Sequence, residues 1–151
     1  MLTTKLHNAR KSLLKESQRI KTVAGMLRAY QPEIKAAYQT FPARLRRKVH
    51  VSCDHWDGTL RLSLSMSDLE SFKCPELMQI LEGFADWEAS SQDYTGDLPN
   101  RDFYFTRTVG LLTIKVAVYA YVKSDSPTCR VIVKGVNRRV VEEEIREIVC
   151  A

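Results

Sequence analysis

Apolar residues along the first part of the chain recur every seven positions, a spacing that keeps them on one side of an α-helix. Thr3 and Thr4 are suitable N-cap residues, so the pattern predicts a helix over residues 4–30. Pro32 then interrupts the run and predicts a second helix that extends to near Gln39. The seven-spaced positions are Leu6, Leu13, Ile20, Leu27, Ile34 and Phe41.

The first four of these positions form one continuous line on the helix, and we call Leu6, Leu13, Ile20 and Leu27 the apolar seam. A straight helix drifts only ~20° per heptad, so the seam suits either a coiled coil or a helix that packs on its own sheet. Glu16 occupies an intervening d position, which argues against an uninterrupted coiled coil. Self-association through the seam is one hypothesis, and packing within the chain is the other.

From residue 48 onward the hydrophobic period changes to two, which indicates β-strands. Two alternating runs, 49–54 and 60–66, are separated by Asp57 and Gly58, a strong hairpin signal. Ser67 with Glu70 three residues later predicts a capped helix that reaches Phe84.

The remainder of the chain begins with a polar stretch that predicts a loop over residues 86–101. Three strands and a final helix are predicted after it, over residues 103–108, 111–123, 129–134 and 138–149. Short turns between strands favour antiparallel pairing. The predicted fold class is therefore α+β, with a five-stranded, mostly antiparallel sheet that has helices on one face and is preceded by a long basic amphipathic N-terminal helix.

Positive charge is concentrated at the N-terminus. Residues 1–48 contain twelve Lys and Arg and two acids, a net charge of 12 − 2 = +10, whereas residues 49–151 contain eleven Lys and Arg and sixteen acids, a net charge of 11 − 16 = −5. We therefore expect two parts, a basic helical arm over 1–48 and an α+β body over 49–151. A charge division of this kind concerns binding partners more than it concerns the fold.

The cations of the arm fall into two groups. A basic face lies away from the apolar seam on the predicted helices, and few acidic residues are spaced to neutralise it. It consists of Arg10, Lys11, Lys15, Lys21, Arg28 and Lys35. A basic cluster follows directly before the first strand, at Arg44, Arg46, Arg47 and Lys48. These ten residues are the candidate phosphate contacts.

Catalytic chemistry has little support in the sequence. The pairing of His50, Cys53 and His55 suggests zinc ligands, but His50 and Cys53 have opposite parity on a strand and no second cysteine pair exists. Phosphate-cradling, dinucleotide-binding and nucleophile-elbow motifs are all missing from the sequence. We expect a protein that is not an enzyme, with no metal and no cofactor.

Four scattered cysteines, Cys53, Cys74, Cys129 and Cys150, are interpreted as small buried residues of a cytoplasmic, reducing location. No apolar run approaches the length of a membrane span and no secretory signal is visible, so no membrane partner is expected.

The outer face of the strand over 111–123 presents Tyr119, Tyr121 and Lys115, with Tyr104 or Arg107, and Arg130 with Lys134, offered by neighbouring strands. Aromatic and basic residues in alternation suit single-stranded nucleic acid. They are equally common on any half-exposed sheet, which is the interpretation we favour.

The sequence leads to one main hypothesis and one alternative. The first is a non-enzymatic nucleic-acid-binding protein that uses the basic face and the basic cluster for phosphate contacts. The alternative is a structural, assembly or inhibitor-type protein that self-associates into a homo-oligomer or docks on an acidic protein surface through its N-terminal helix. Size, arm and lack of catalytic motifs are in the style of small viral proteins, although no motif indicates a family.

Overall fold

A computed structural model describes residues 2–96, 98–137 and 143–151 of the chain. Its helices are α1 (Leu2–Ala29), α2 (Gln31–Thr40) and α3 (Pro75–Gly83), with one 3₁₀ turn at Arg46–Lys48. Its strands are β1 (His50–Asp54), β2 (Thr59–Leu69), β3 (Glu88–Thr95), β4 (Pro99–Val109), β5 (Leu112–Val122), β6 (Cys129–Asn137) and β7 (Glu143–Cys150). The two N-terminal helices are confirmed within two residues of their predicted bounds, and the first hairpin is confirmed with a second strand that continues three residues further than predicted.

Five of the strands form one mixed sheet in the order β1-β2-β5-β4-β3. Neighbouring strands are antiparallel except β2 and β5, which run parallel. The segment that contains α3, β3 and β4 supplies the long connection that a parallel pair needs. The predicted α+β class, with a mostly antiparallel five-stranded sheet and a long N-terminal helix, is confirmed.

The core lies between one face of this sheet and the helices α2 and α3. The alternation along β5 buries every second residue from Leu112 to Val122, as period-two patterning requires. Phe84, directly after α3, contacts three other aromatic rings in this core. Its ring centroid lies 5.5 Å from Phe41, 5.3 Å from Phe105 and 5.0 Å from Trp87.

The predicted helix start at Ser67 is wrong. β2 continues through residue 69, where Leu69 pairs with Val122 across the parallel β2–β5 ladder. Helix α3 begins instead at Pro75, a residue whose fixed φ suits the first helical turn. Ladder pairing with β5 outweighed the local capping-box signal of Ser67 and Glu70.

The predicted loop over 86–101 is also wrong, because β3 occupies Glu88–Thr95 and pairs with β4 along its whole length. β3 is an edge strand with polar residues on both faces, so it lacks the alternation by which strands are recognised. It takes the fifth place in the sheet, which the sequence assigned to the strand over 129–134.

The C-terminal part of the chain differs from its prediction. β6 and β7 form a separate two-stranded antiparallel sheet, so the predicted final helix is wrong over residues 143–149, and its residues 138–142 lie outside the described residues. Ile148 and Cys129 of this hairpin are buried in the common core. Tertiary packing and strand pairing overrode the local helical pattern.

Cys129 and Cys150 form a disulfide, which corrects their interpretation as free thiols. The two residues lie directly opposite each other in the β6–β7 register, with their Cα atoms 4.2 Å apart. Cys53 and Cys74 are the free cysteines of the described part.

Replacing Cys129 and Cys150 together by alanine should lower the free energy of unfolding by about 3 kcal/mol, because the bond closes a loop with a sequence separation of 21 residues. Urea denaturation of the oxidised protein and the variant measures this. Cys74→Ser is the control, and reductant should move the wild-type midpoint but leave the double variant unmoved. Equal midpoints for oxidised wild type and double variant would contradict the prediction.

Candidate nucleic-acid interface

The second half of α1 is fixed on two turns at one end of the sheet. Val23 is buried, and Met26, Leu27 and Tyr30 are partly buried. The terminal Cε of Met26 lies against Gly58 of the β1–β2 turn, 3.1 Å from where a Cβ would stand. The Leu111 backbone N–H, in the β4–β5 turn, donates a hydrogen bond of 3.4 Å to the Tyr30 hydroxyl.

The β4–β5 turn fits Tyr30 closely through Gly110. Gly110 has a φ of +57°, which favours glycine, and a Cβ there would stand 2.0 Å from the Tyr30 hydroxyl oxygen. The contact therefore depends on a residue without a side chain, and it fixes where α1 meets the body.

The first half of α1 is open to solvent. The 28 residues of the helix span about 42 Å. Residues 3–15 are all exposed, so no described part of the chain covers that stretch. Helix α1 is thus attached to the body by its second half only, whereas α2, which follows it in the predicted arm, packs in the core.

The seven Lys and Arg side chains of α1 form no ion pair within the described part of the chain. Those on the basic face, together with Lys35 on α2, are exposed. Several cations of the body, in contrast, form ion pairs. Arg101 pairs with Asp93, and Arg107 pairs with Asp86. No described acidic residue therefore neutralises a cation of α1 through an ion pair.

The basic cluster is divided in its roles. Arg44 pairs with Glu76. Arg46 donates from Nε to the Phe41 carbonyl (2.8 Å) and from Nη2 to the Gln39 carbonyl (2.7 Å), so its guanidinium satisfies the C-terminal end of α2. Arg47 and Lys48 are exposed and have no partner among the described side chains. Only the latter two are unengaged, which sequence reasoning had not distinguished.

The apolar seam is divided too. Leu27 packs against the core, whereas Leu6, Leu13 and Ile20 are 60%, 66% and 49% exposed. Leu14, outside the seam, is exposed as well. Such a row of large apolar residues on an uncovered helix is unusual for a surface that has no partner.

Sequence reasoning missed Trp56, which lies in the β1–β2 turn directly beside α1. The Arg19 guanidinium carbon lies 5.1 Å from the centre of the Trp56 ring, and the His55 ring centroid lies 5.1 Å from it on a tilted plane. The Trp56 side chain is 62% exposed. A tryptophan among the polar residues of a predicted turn was the available signal.

Hydrogen bonds hold this turn in place. Asp54 accepts from the Trp56 backbone N–H and Asp57 from the Thr59 backbone N–H, both at 2.8 Å. Hydrogen bonds from Thr59 lower the pKa of Asp57, with the side-chain bond having the larger effect and the backbone bond the smaller. Asp57 is therefore a carboxylate at neutral pH, and the turn that presents Trp56 has a defined shape.

The suggested zinc ligands are not brought together. Cys53 packs against the core, while His50 lies exposed at a register position of opposite parity. Burial, and then the charges of Asp54 and Asp57, raises the pKa of the Cys53 thiol, which disfavours the thiolate that binds metal. No group of three or more metal-binding side chains occurs in the part of the chain that the structure describes.

On the outer sheet face the structure brings together Tyr104 and Tyr119, with ring centroids 6.4 Å apart. The Tyr104 hydroxyl donates to buried Asp102 at 3.0 Å. The pKa of Tyr104 is raised mainly by burial, and further by this hydrogen bond and by the charge of Asp102. A buried carboxylate makes this face a poor surface for phosphate.

Lys115 lies on this face of β5, but the basic residues expected from neighbouring strands lie elsewhere. Arg107 is on the opposite face, over the Trp87 ring at 4.9 Å, and Arg130 and Lys134 belong to β6 in the second sheet.

Comparison of the chain with models of known protein families, with curated proteins and with solved structures found no match. None of the described helices combines the length and the apolar character needed to cross a lipid bilayer. The described part of the chain is an α+β fold with a long N-terminal helix whose cations are exposed.

Proposed function

We propose that this protein is a non-enzymatic nucleic-acid-binding protein and that α1 is its phosphate-binding element. One observation supports the proposal above the others. The cations of α1 form no ion pair with any described residue, whereas several cations of the body are paired with acids. An exposed row of cations without acidic partners has a large electrostatic attraction for a polyanion.

Contacts of this type recognise the phosphate backbone and depend little on sequence. The residues assigned to them are Arg10, Lys11, Lys15, Lys21, Arg28 and Lys35 of the basic face, with Arg47 and Lys48 of the basic cluster. Arg44 and Arg46 join them only if they leave Glu76 and the α2 carbonyls, respectively.

The test is fluorescence-anisotropy titration of labelled single- and double-stranded DNA and RNA over a range of salt concentrations. Because each neutralised phosphate releases counterions, log affinity should fall linearly with log salt, with a slope of about −4.5 for five contacts on duplex DNA. Absence of binding at low salt would retire the proposal. A flat salt dependence would show that phosphates are not the ligand.

A second candidate function is self-assembly through the apolar seam, and the exposure of Leu6, Leu13 and Ile20 favours it. If the seam pairs with that of a second copy, light scattering should give a mass above 17.3 kDa that falls to the monomer value in Leu13→Glu. The control is Asn8→Glu, an exposed position on the other side of the same helix. A monomer mass at every concentration would exclude self-assembly and leave docking on an acidic protein.

The proposal also places the protein in the cytoplasm, where disulfides are rare. The test is to quench cells with acid, denature the protein, alkylate its free thiols and count the labelled cysteines by mass spectrometry. In a cytoplasmic protein all four cysteines should be alkylated. Retention of the Cys129–Cys150 bond would instead place the protein in an oxidising compartment.

A further inference from the structure

Two neighbouring turns expose large apolar side chains beside the basic helix. Trp56 in the β1–β2 turn is 62% exposed and Leu111 in the β4–β5 turn is 78% exposed. The turns lie at the same end of the sheet because β2 and β5 are parallel neighbours, with Thr59 opposite Thr113. An exposed indole at a fixed position is the kind of side chain that interaction sites use.

A groove of about 350 Å³ separates these turns from α1. Val23 and Met26 line its apolar part, Trp56 and Leu111 line it on the side of the turns, and Arg19 and Gln18 contribute polar groups. The combination of apolar surface with a few polar groups suits a flat, partly polar ligand such as a nucleobase.

A line of cations on α1 leads to this groove. Lys11, Lys15 and Arg19 are spaced four residues apart, so they follow one side of the helix in steps of about 6 Å. All three are exposed, and Arg19 is the one that lies over the Trp56 ring. Positive charge thus continues along this line of the helix to the aromatic ring, and the acids beside the groove are Glu16, which contacts His55, and Asp57 in the turn.

We propose that Trp56 stacks on an unpaired base of single-stranded nucleic acid whose phosphates contact Lys11 and Lys15. This inference rests on the proposed function and specifies its substrate. The base enters by displacing the exposed Arg19 side chain, whose planar guanidinium then stacks on the free face of the base. Bases of a duplex are stacked on their neighbours and cannot occupy the groove, so the site selects single strands.

Tryptophan fluorescence tests the stacking directly. The chain has two tryptophans, and Trp87→Phe leaves Trp56 as the only reporter. Trp87 packs against Phe84 and Arg107, away from the groove, so this substitution serves also as the control for loss of an indole. Titration with oligothymidylate should quench Trp56 fluorescence, and titration with a duplex of equal length should leave it nearly unchanged.

Affinity measurements complete the test. Trp56→Ala should weaken binding of oligothymidylate by roughly 5- to 150-fold and leave duplex binding within about twofold, while Trp56→Phe should retain part of the single-strand affinity. Because the fluorescence measurement uses intact Trp56, it decides the question even if Trp56→Ala fails to fold.

The outcomes separate the two proposals. Salt-dependent binding of single strands and duplexes, with no quenching of Trp56 and wild-type affinity in Trp56→Ala, would overturn the stacking site and leave α1 as a phosphate-binding element. Absence of binding to any nucleic acid at low salt would overturn both.

Discussion

Replacing Lys11, Lys15 and Lys21 together by glutamine should lower the affinity for nucleic acid on the order of 10²-fold at physiological salt. By counterion release, each phosphate contact contributes about fivefold under these conditions, and three contacts multiply. The slope of log affinity against log salt should become shallower by about 2.7 on duplex DNA. Anisotropy titrations at several salt concentrations measure both quantities.

The fold should tolerate this change. All three lysines are exposed and form no ion pair with a described residue, and glutamine has nearly the helix propensity of lysine. Circular dichroism of the variant should therefore match that of the wild type.

The matched control removes three exposed lysines from the body, Lys73, Lys115 and Lys123. It lowers the net charge equally, so an equal loss of affinity in both variants would assign binding to net charge rather than to α1. Unchanged affinity in the α1 variant would show that α1 is not the phosphate-binding element.

The parts of the fold that could be predicted from sequence are those where one local signal dominates. The seven-residue period gives α1, and Pro32 gives the start of α2 within one residue. Alternation around Asp57 and Gly58 gives the β1–β2 hairpin. In each case the residues that pack are close in sequence, so the pattern contains most of the information.

The errors fall where a distant partner decides the conformation. β7 has a helical apolar pattern at Ile145 and Ile148, but its pairing with β6 and the bond between Cys129 and Cys150 make it extended. The polar edge strand β3 is determined by β4 and has no period of its own. The local sequence of β3 or β7 does not indicate the strand with which it pairs. Tertiary contacts therefore decided the conformation against the local propensity.

The candidate site shows the same division. The exposed basic face is visible in the sequence because charge and helical spacing are local properties. The engagement of Arg46 by the α2 carbonyls and the position of Trp56 beside Arg19 depend on how loops fold back. The engagement of Arg46 removes this residue from the predicted phosphate contacts, and the position of Trp56 adds an aromatic residue to the candidate site.

Replacing Phe84 by alanine should lower the free energy of unfolding by about 3–5 kcal/mol, the largest loss we expect from a single substitution. The side chain is fully buried, and its ring contacts join α2 through Phe41 to β4 through Phe105. Truncation would leave a cavity between elements that are fixed by the sheet and cannot close it. Urea denaturation followed by far-ultraviolet circular dichroism measures the loss.

Met78→Ala, on the exposed side of α3, is the control and should change stability by about 0.5 kcal/mol or less. A loss below about 1 kcal/mol for Phe84→Ala would contradict the core described here. The folded fraction of Phe84→Ala should nevertheless bind nucleic acid with wild-type affinity, because the ring partners of Phe84 are Phe41, Trp87 and Phe105 and the cations of α1 are exposed. The variant should therefore lose stability without losing affinity. This result is expected if the sheet holds α1 in place while α1 supplies most of the charges that bind nucleic acid.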